Sequence, residues 1–236
     1  MKLIAFSLWG NDPKYCVGAI KNASLGSSIY PDWKCRFYVG ASTSRFYKNK
    51  IKENGGEVVE MDEEGDWSGM FWRFAPAFEK DVEVMISRDT DSRLNMREKY
   101  AVDEWLSSDK GFHIMRDHPY HGTAILGGMW GIKKGVVPNF KELFQKRAKQ
   151  DSYDTDQAFL REDIYPLICN HAMVHDEFFK SSLDVERPFP KSREGLEFVG
   201  QVFNENDETV QQHLEALAGA INYNGKQQRK QGLWQS

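Results

Sequence analysis

Strand and helix signals alternate through the first ninety residues, and that alternation constrains the fold more than any other feature of the chain. Residues 2–9 form an apolar run that stops at Asn11-Asp12-Pro13, where Asp12 and Pro13 make an N-cap and first-turn pair for a helix to about Ile29. Residues 34–40 read as a strand, 44–54 as a helix closed by Gly55-Gly56, and 57–61 as a strand. A helix over 68–78 carries Met70, Phe71, Phe74 and Phe78 at helical spacing, and 82–87 is a further apolar strand. This order predicts parallel strands with right-handed crossovers, on which ligands sit beyond the carboxyl ends of the strands. Trp9-Gly10-Asn11 and the segment 88–91 both fall at that edge.

The second half is less regular. Helices are expected over 95–106, 139–149 and 155–162, a short strand over 112–115, and a strand end over 172–175. Residues 117–131 read as a loop rich in Gly, His and aromatics. A length of 236 residues suits one large domain, taken here as 1–221, followed by a polar tail over 222–236. The net charge of −4 and the lack of a basic stripe argue against a nucleic-acid partner. Cys16, Cys35 and Cys169 are odd in number, with no Cys-x-x-Cys, and read as reduced thiols. The leading apolar run is too short for a signal sequence or a membrane span, so a cytoplasmic protein without a transmembrane segment is expected.

The chemistry-bearing residues cluster at strand ends. Asp89 and Asp91 close the 82–87 strand one residue apart, an arrangement that lets two carboxylates share one divalent cation. A solvated turn is the plainer reading. A second Asp-x-Asp, Asp154-Thr155-Asp156, stands where a helix begins, so Asp154 reads equally as a cap. Arg88 and Arg93 flank the first pair and would either reach a phosphate or balance local charge. His175 ends another apolar run and either offers an imidazole to a cation already held by carboxylates or is simply a surface histidine. His171 and His175 also have the spacing of a helical zinc pair, but the Glu of a His-Glu-x-x-His site is missing. Gly127, Gly128 and Gly131 permit close backbone approach, and Trp130 offers a stacking face, unless the segment is only a turn between strands. Arg73 on an apolar helix is a diphosphate contact or a snorkelling side chain, and Asp156 a sugar contact or a cap. Neither a P-loop nor Gly-x-Gly-x-x-Gly is present.

Taken in order, Phe6-Ser7-Leu8-Trp9-Gly10, Phe71-Trp72-Arg73-Phe74, Ser87-Arg88-Asp89-Thr90-Asp91-Ser92-Arg93, Gly127-Gly128-Met129-Trp130-Gly131 and Asp156-Gln157-Ala158-Phe159-Leu160 resemble the GT-A glycosyltransferases. The likeness is to the small glycosyltransferase domain of chlorella viruses and related bacterial and phage proteins, and it spans about residues 2 to 200. It implies a Rossmann-like mixed sheet flanked by helices in a single domain. It implies a nucleotide-sugar donor, UDP favoured, bound near Ser7, Leu8, Trp9 and Gly10. It further implies Mn²⁺ or Mg²⁺ on Asp89 and Asp91, with His175 as a further ligand, and Gly128 and Trp130 beside the donor. Asp156 would lie near the donor sugar and Arg73 or Arg88 at the diphosphate, with a glycan or other saccharide hydroxyl as acceptor and retention of configuration as the implied course. Two other classes fit less well: a haloacid-dehalogenase-like phosphohydrolase, which lacks the late acidic pair here, and a catalytically silent sugar- or nucleotide-binding module.

Overall fold

The computed structural model describes residues 1–147, 155–179 and 186–232. One sheet has the order β3-β2-β1-β4-β6-β5-β7-β8. Its strands are β1 (Lys2–Leu8), β2 (Lys34–Val39), β3 (Glu57–Glu60), β4 (Val84–Ser87), β5 (Phe112–Arg116), β6 (Trp130–Lys133), β7 (Ala172–Asp176) and β8 (Glu186–Arg187). Neighbours pair in parallel except at β6, which runs antiparallel to both β4 and β5. The expected mixed sheet flanked by helices is therefore what forms. From β1 the chain moves out to β2 and β3 on one side, then returns to β4 on the other. The carboxyl ends of β1 and β4 thus flank a topological switch point, the place where open sheets of this kind leave a crevice.

Both faces of the sheet are covered, so the inner strands bury apolar residues on both sides rather than alternating. Leu3, Ala5 and Met85 pack on one face with Phe71, Phe74 and Phe159. Ile4, Phe6, Leu8 and Ile86 pack on the other with Cys16, Ala19 and Ala23 of α1 (Pro13–Ile29) and Trp105 of α3 (Met96–Leu106). Helix α1 starts where expected, with the Asp12 carboxylate accepting the Lys14 backbone N–H at 2.9 Å. Helix α2 (Arg45–Glu53) follows β2.

Several elements differ from expectation. The helix over Trp67–Phe78 is a 3₁₀ helix with Pro76 inside it. Proline cannot donate the i→i−4 bond of an α-helix, and a turn of three residues changes which side chains share a face. Trp67, Met70 and Arg73 line up on one side, whereas Phe71 and Phe74 point into the core. The glycine-rich segment is a loop only to its end, where β6 inserts between β4 and β5. The helix at Thr155 begins as α5 (Thr155–Ala158), widens into a π turn (Phe159–Ile164) and closes as α6 (Tyr165–Ile168). Helix α4 (Phe140–Arg147) ends at the limit of the described residues, so the expected end at Lys149 and the cap role of Asp154 lie outside them. Strand β8 and helix α7 (Gln211–Gly232) were not anticipated, and α7 runs across the 221/222 boundary. Among the described residues no helix is long and apolar enough to cross a membrane.

Candidate functional site

Where β1 and β4 end, a cleft of about 640 Å³ opens, within the roughly 300–1,000 Å³ of small-molecule sites. Its walls come from four stretches of chain and from Val202. The end of β1 supplies Ser7, Leu8, Trp9 and Gly10, and the start of α1 supplies Asn11, Asp12 and Tyr15. The 3₁₀ helix supplies Trp67, Met70 and Arg73, and the turn after β4 supplies Asp89, Thr90 and Asp91. Gly10 adopts φ +68°, a left-handed backbone that lets the chain turn from β1 into α1. Its N–H donates to Ser42 Oγ at 2.9 Å, tying the cleft wall to the turn after β2.

Arg73 organises the charged end. It is only 6 % exposed, because Ser7 Oγ accepts its backbone N–H at 3.1 Å and draws the 3₁₀ helix against β1. One guanidinium nitrogen donates to Asp89 and the other to Asp156 Oδ2 at 3.2 Å. Its Nε is buried without a partner among the described residues. Asp156 lies in the first turn of α5, its Oδ1 accepting the Gln157 N–H at 2.8 Å, so it is both a first-turn acid and an ion-pair partner. Two glycines make room for this cluster. A Cβ on Gly127 would stand 2.6 Å from an Arg73 guanidinium nitrogen, and one on Gly128 would stand 2.0 Å from Asp89 Oδ2. Ser87 Oγ and Trp130 Nε1 hold the Gly127 carbonyl at 2.7 and 3.1 Å. The glycines therefore bring backbone close to the protein's own carboxylates. Gly128 and Asp156 stand behind the cleft wall rather than in it.

Asp91, on the α1 side of the turn, pairs with Lys14 Nζ at 2.8 Å. Burial raises the Asp91 carboxyl above the usual carboxylate range, and the nearby Asp89 charge adds to this while Lys14 opposes it. Asp156 is also raised, by burial first and by Asp89, against the pull of Arg73. The donor set is hard oxygen on two carboxylates one residue apart, which suits Mg²⁺ or Mn²⁺. Among the described residues no group of three or more His, Cys, Asp or Glu is placed to hold a metal. Two carboxylates completed by phosphate oxygens and water is the usual way Mg²⁺ is held, so the residues present fit such an ion.

No family model and no curated protein matches the chain. Among solved structures it is similar to S. aureus TarS 1–349, at 12% identity and TM-score 0.52, over 75% of this chain and 58% of that one. The complex of TarS 1–349 with UDP is similar at 10% identity and TM-score 0.52, with the same coverage of 75% and 58%. The chain thus spans 58% of the length of the TarS chains it matches. A structure of M. tuberculosis glucosyl-3-phosphoglycerate synthase follows at 10% identity and TM-score 0.49, over 81% of this chain and 73% of that one. The fold is of the GT-A type.

Within this GT-A fold, three residues expected at the site point elsewhere. Arg88 is one residue from Asp89, and strand alternation sends it to the opposite face of the sheet. There it is 2 % exposed and pairs with Glu98 Oε1 at 3.2 Å, so it cannot reach a ligand in the cleft. Trp130 belongs to β6, is fully buried, and stacks on Phe112 at 5.3 Å between centroids, which leaves no face for a ligand. His175 lies in β7, three strand spacings from β4, or about 14 Å. It sits on the α3 face of the sheet, with Nδ1 2.8 Å from His113 Nε2 and Nε2 3.4 Å from Glu104. A ligand there cannot join Asp89 and Asp91 on one ion. His171 is exposed just before β7. Arg93 holds the 203–207 segment, pairing with Asp207 at 3.1 Å and with the Asn204 carbonyl at 3.1 Å. Sequence reasoning passed over Lys14, Tyr15, Trp67 and Met70. The legible signals were Asp12-Pro13, which sets the phase of α1, and the three-residue spacing of Trp67, Met70 and Arg73.

Proposed function

We propose that the cleft binds a nucleoside-diphosphate sugar, with UDP as the favoured nucleotide, and that the protein transfers the sugar to a hydroxyl of a glycan or other saccharide acceptor. The observation that carries this reading is the position of Asp89 and Asp91 at the switch point of a GT-A sheet, in the wall of a cleft of about 640 Å³. The narrower likeness to the small chlorella-virus glycosyltransferase domain rests on the order of the five sequence motifs. We place the reaction in the cytoplasm, in keeping with three free cysteines.

On this reading the nucleoside lies along Ser7, Leu8, Trp9 and Gly10, and the diphosphate meets the 89–91 turn. A divalent ion on Asp89 and Asp91 would neutralise the charge that the leaving diphosphate develops. Arg73 acts through its neighbours: it fixes Asp89 against Asp156, so the carboxylates do not reorganise when the donor enters. Asp156, held behind Arg73, supplies negative charge near a sugar that develops cationic character. Gly127 and Gly128 leave the room that Arg73 and Asp89 occupy behind that end of the cleft. Retention of configuration is the proposed course, read from the anomeric proton of the product.

Calorimetric titration with UDP in Mn²⁺, then in EDTA, tests the reading, with GDP, CDP and dTDP as comparison ligands. Metal-dependent binding with one preferred base is the expected result, and Asp91→Ala removes it. Absence of binding to every nucleotide under both conditions would sink the proposal.

A further inference from the structure

We propose that Lys14 makes cation binding at Asp89 and Asp91 conditional on the diphosphate, a role that rests on the nucleotide-sugar reading of the cleft. Packing holds Lys14 in place. Lys14, Gly18 and Asn22 follow at steps of four along one face of α1. A Cβ on Gly18 would stand 2.0 Å from the Thr90 carbonyl oxygen, so the helix lies directly on the 89–91 turn. Asn22 Nδ2 donates to the carbonyls of Thr90 at 3.2 Å and Ser92 at 2.8 Å, and its Oδ1 accepts the Leu94 N–H at 3.0 Å. The same face therefore delivers the Lys14 ammonium to Asp91 Oδ2, at 2.8 Å, from outside the cleft.

Charge then decides what enters. The linked cluster holds three carboxylates, Asp89, Asp91 and Asp156, against two cations, Arg73 and Lys14, and so carries one net negative charge with every group ionised. Asp12 sits exposed at the rim, where solvent and salt screen it. A divalent cation entering alone would leave the cluster with one net positive charge. A diphosphate diester brings two negative charges and returns it to its starting value. Metal and diphosphate thus enter as a neutral pair. Without Lys14 the cluster starts at two negative charges, and a cation alone neutralises it.

Titrating Mn²⁺ alone, and Mn²⁺ at saturating UDP, into the whole protein, Lys14→Met and Lys14→Arg tests this. A unit charge about 5 Å from a divalent ion in water-like dielectric predicts that Lys14→Met binds Mn²⁺ alone on the order of tenfold more tightly. The factor by which UDP strengthens Mn²⁺ binding falls in that variant, and by linkage so does the factor by which Mn²⁺ strengthens UDP binding. Lys14→Arg behaves as wild type, and the advantage of Lys14→Met shrinks as salt is raised, which a structural role would not produce. Mn²⁺ affinity that is unchanged, weaker or undetectable in Lys14→Met overturns the proposal. Failure of UDP to bind the wild type would instead strike the nucleotide reading, while the comparison in Mn²⁺ alone still decides the role of Lys14.

Discussion

Arg73 and Arg88 are both buried arginines paired to carboxylates near the carboxyl end of β4, and the difference between them separates a site from a core. Arg88 and Glu98 each leave 2 % of the side chain exposed, and the Tyr30 hydroxyl closes the pair by donating to Glu98 Oε1 at 3.0 Å. Burial pushes the Glu98 carboxyl up, opposed by Arg88. Arg73 is almost as buried, at 7 % of its side chain, but one of its partners, Asp89, keeps 45 % exposed to the cleft. Residue type does not distinguish the two arginines. The face of β4 on which each finds its partner does, because Asp89 follows Ser87 onto the side of the 3₁₀ helix and Arg88 follows Ile86 onto the side of α3.

The sharpest way to break this comparison is to delete each arginine. Arg88→Ala leaves Glu98 buried and unpaired, and is expected to cost about 3–5 kcal/mol of stability. Arg73→Ala leaves Asp89 facing water but also strips Asp156, whose side chain is 6 % exposed, of its ion pair, so stability falls here too, and metal-dependent nucleotide binding is lost with it. Urea unfolding and a UDP titration in Mn²⁺ of both variants measure the difference: Arg88→Ala that still folds keeps nucleotide binding, and loss of binding in both would remove the distinction. Gly128→Ala probes the site side alone. Its Cβ would overlap Asp89 Oδ2, and UDP with Mn²⁺ should bind about tenfold more weakly or worse, near 1.4 kcal/mol. A variant that keeps wild-type affinity would show that Asp89 has freedom the packing does not suggest.

The same contrast explains what was legible in the sequence. Parallel order in the first half followed from local signals, because Asp12-Pro13, Gly55-Gly56 and the apolar runs each mark their own boundary. The acidic pair was legible because its strand placement is local too. Arg88 and His175 were misplaced because proximity in sequence to a strand end does not say which face a side chain takes. Trp130 was misplaced because β6 is antiparallel and short, and three nearby glycines hid it as a loop. Lys14 could not be found from its own neighbours. Its position depends on Gly18 and Asn22 packing on a turn some seventy residues later in the chain, a tertiary contact with no local signature.

A smaller effect concerns what the acidic pair costs the fold. Asp91 has its folded pKa raised, by burial first and then by Asp89. The folded state therefore holds its proton more tightly than the unfolded chain. The stability this provides is fully present below the ordinary carboxylate range and is lost as pH rises through the folded pKa. Asp91→Asn imitates the protonated form. In EDTA at neutral pH it should unfold at a higher temperature than wild type, by on the order of 1 kcal/mol or less because Lys14 offsets part of the cost. The advantage should close as pH falls. An Asp91→Asn protein less stable than wild type at neutral pH would contradict the burial argument.

The smallest expected effect on binding tests the other face directly. Burial lowers His175 to about 4, with Glu104 pulling the other way, so the imidazole is neutral through the working range of the cleft. Beside its 3.4 Å contact with Glu104 it hydrogen-bonds His113, whose remaining nitrogen is buried without a partner among the described residues. His175→Gln should cost stability through that neighbour. Metal-dependent UDP affinity should change by less than about twofold, since separated sites act independently. The pH profile of binding should likewise show no imidazole inflection that the substitution removes. Loss of Mn²⁺ affinity in His175→Gln would mean that β7 and β4 serve one ion, and the separation of the two faces drawn from Arg73 and Arg88 would fail with it.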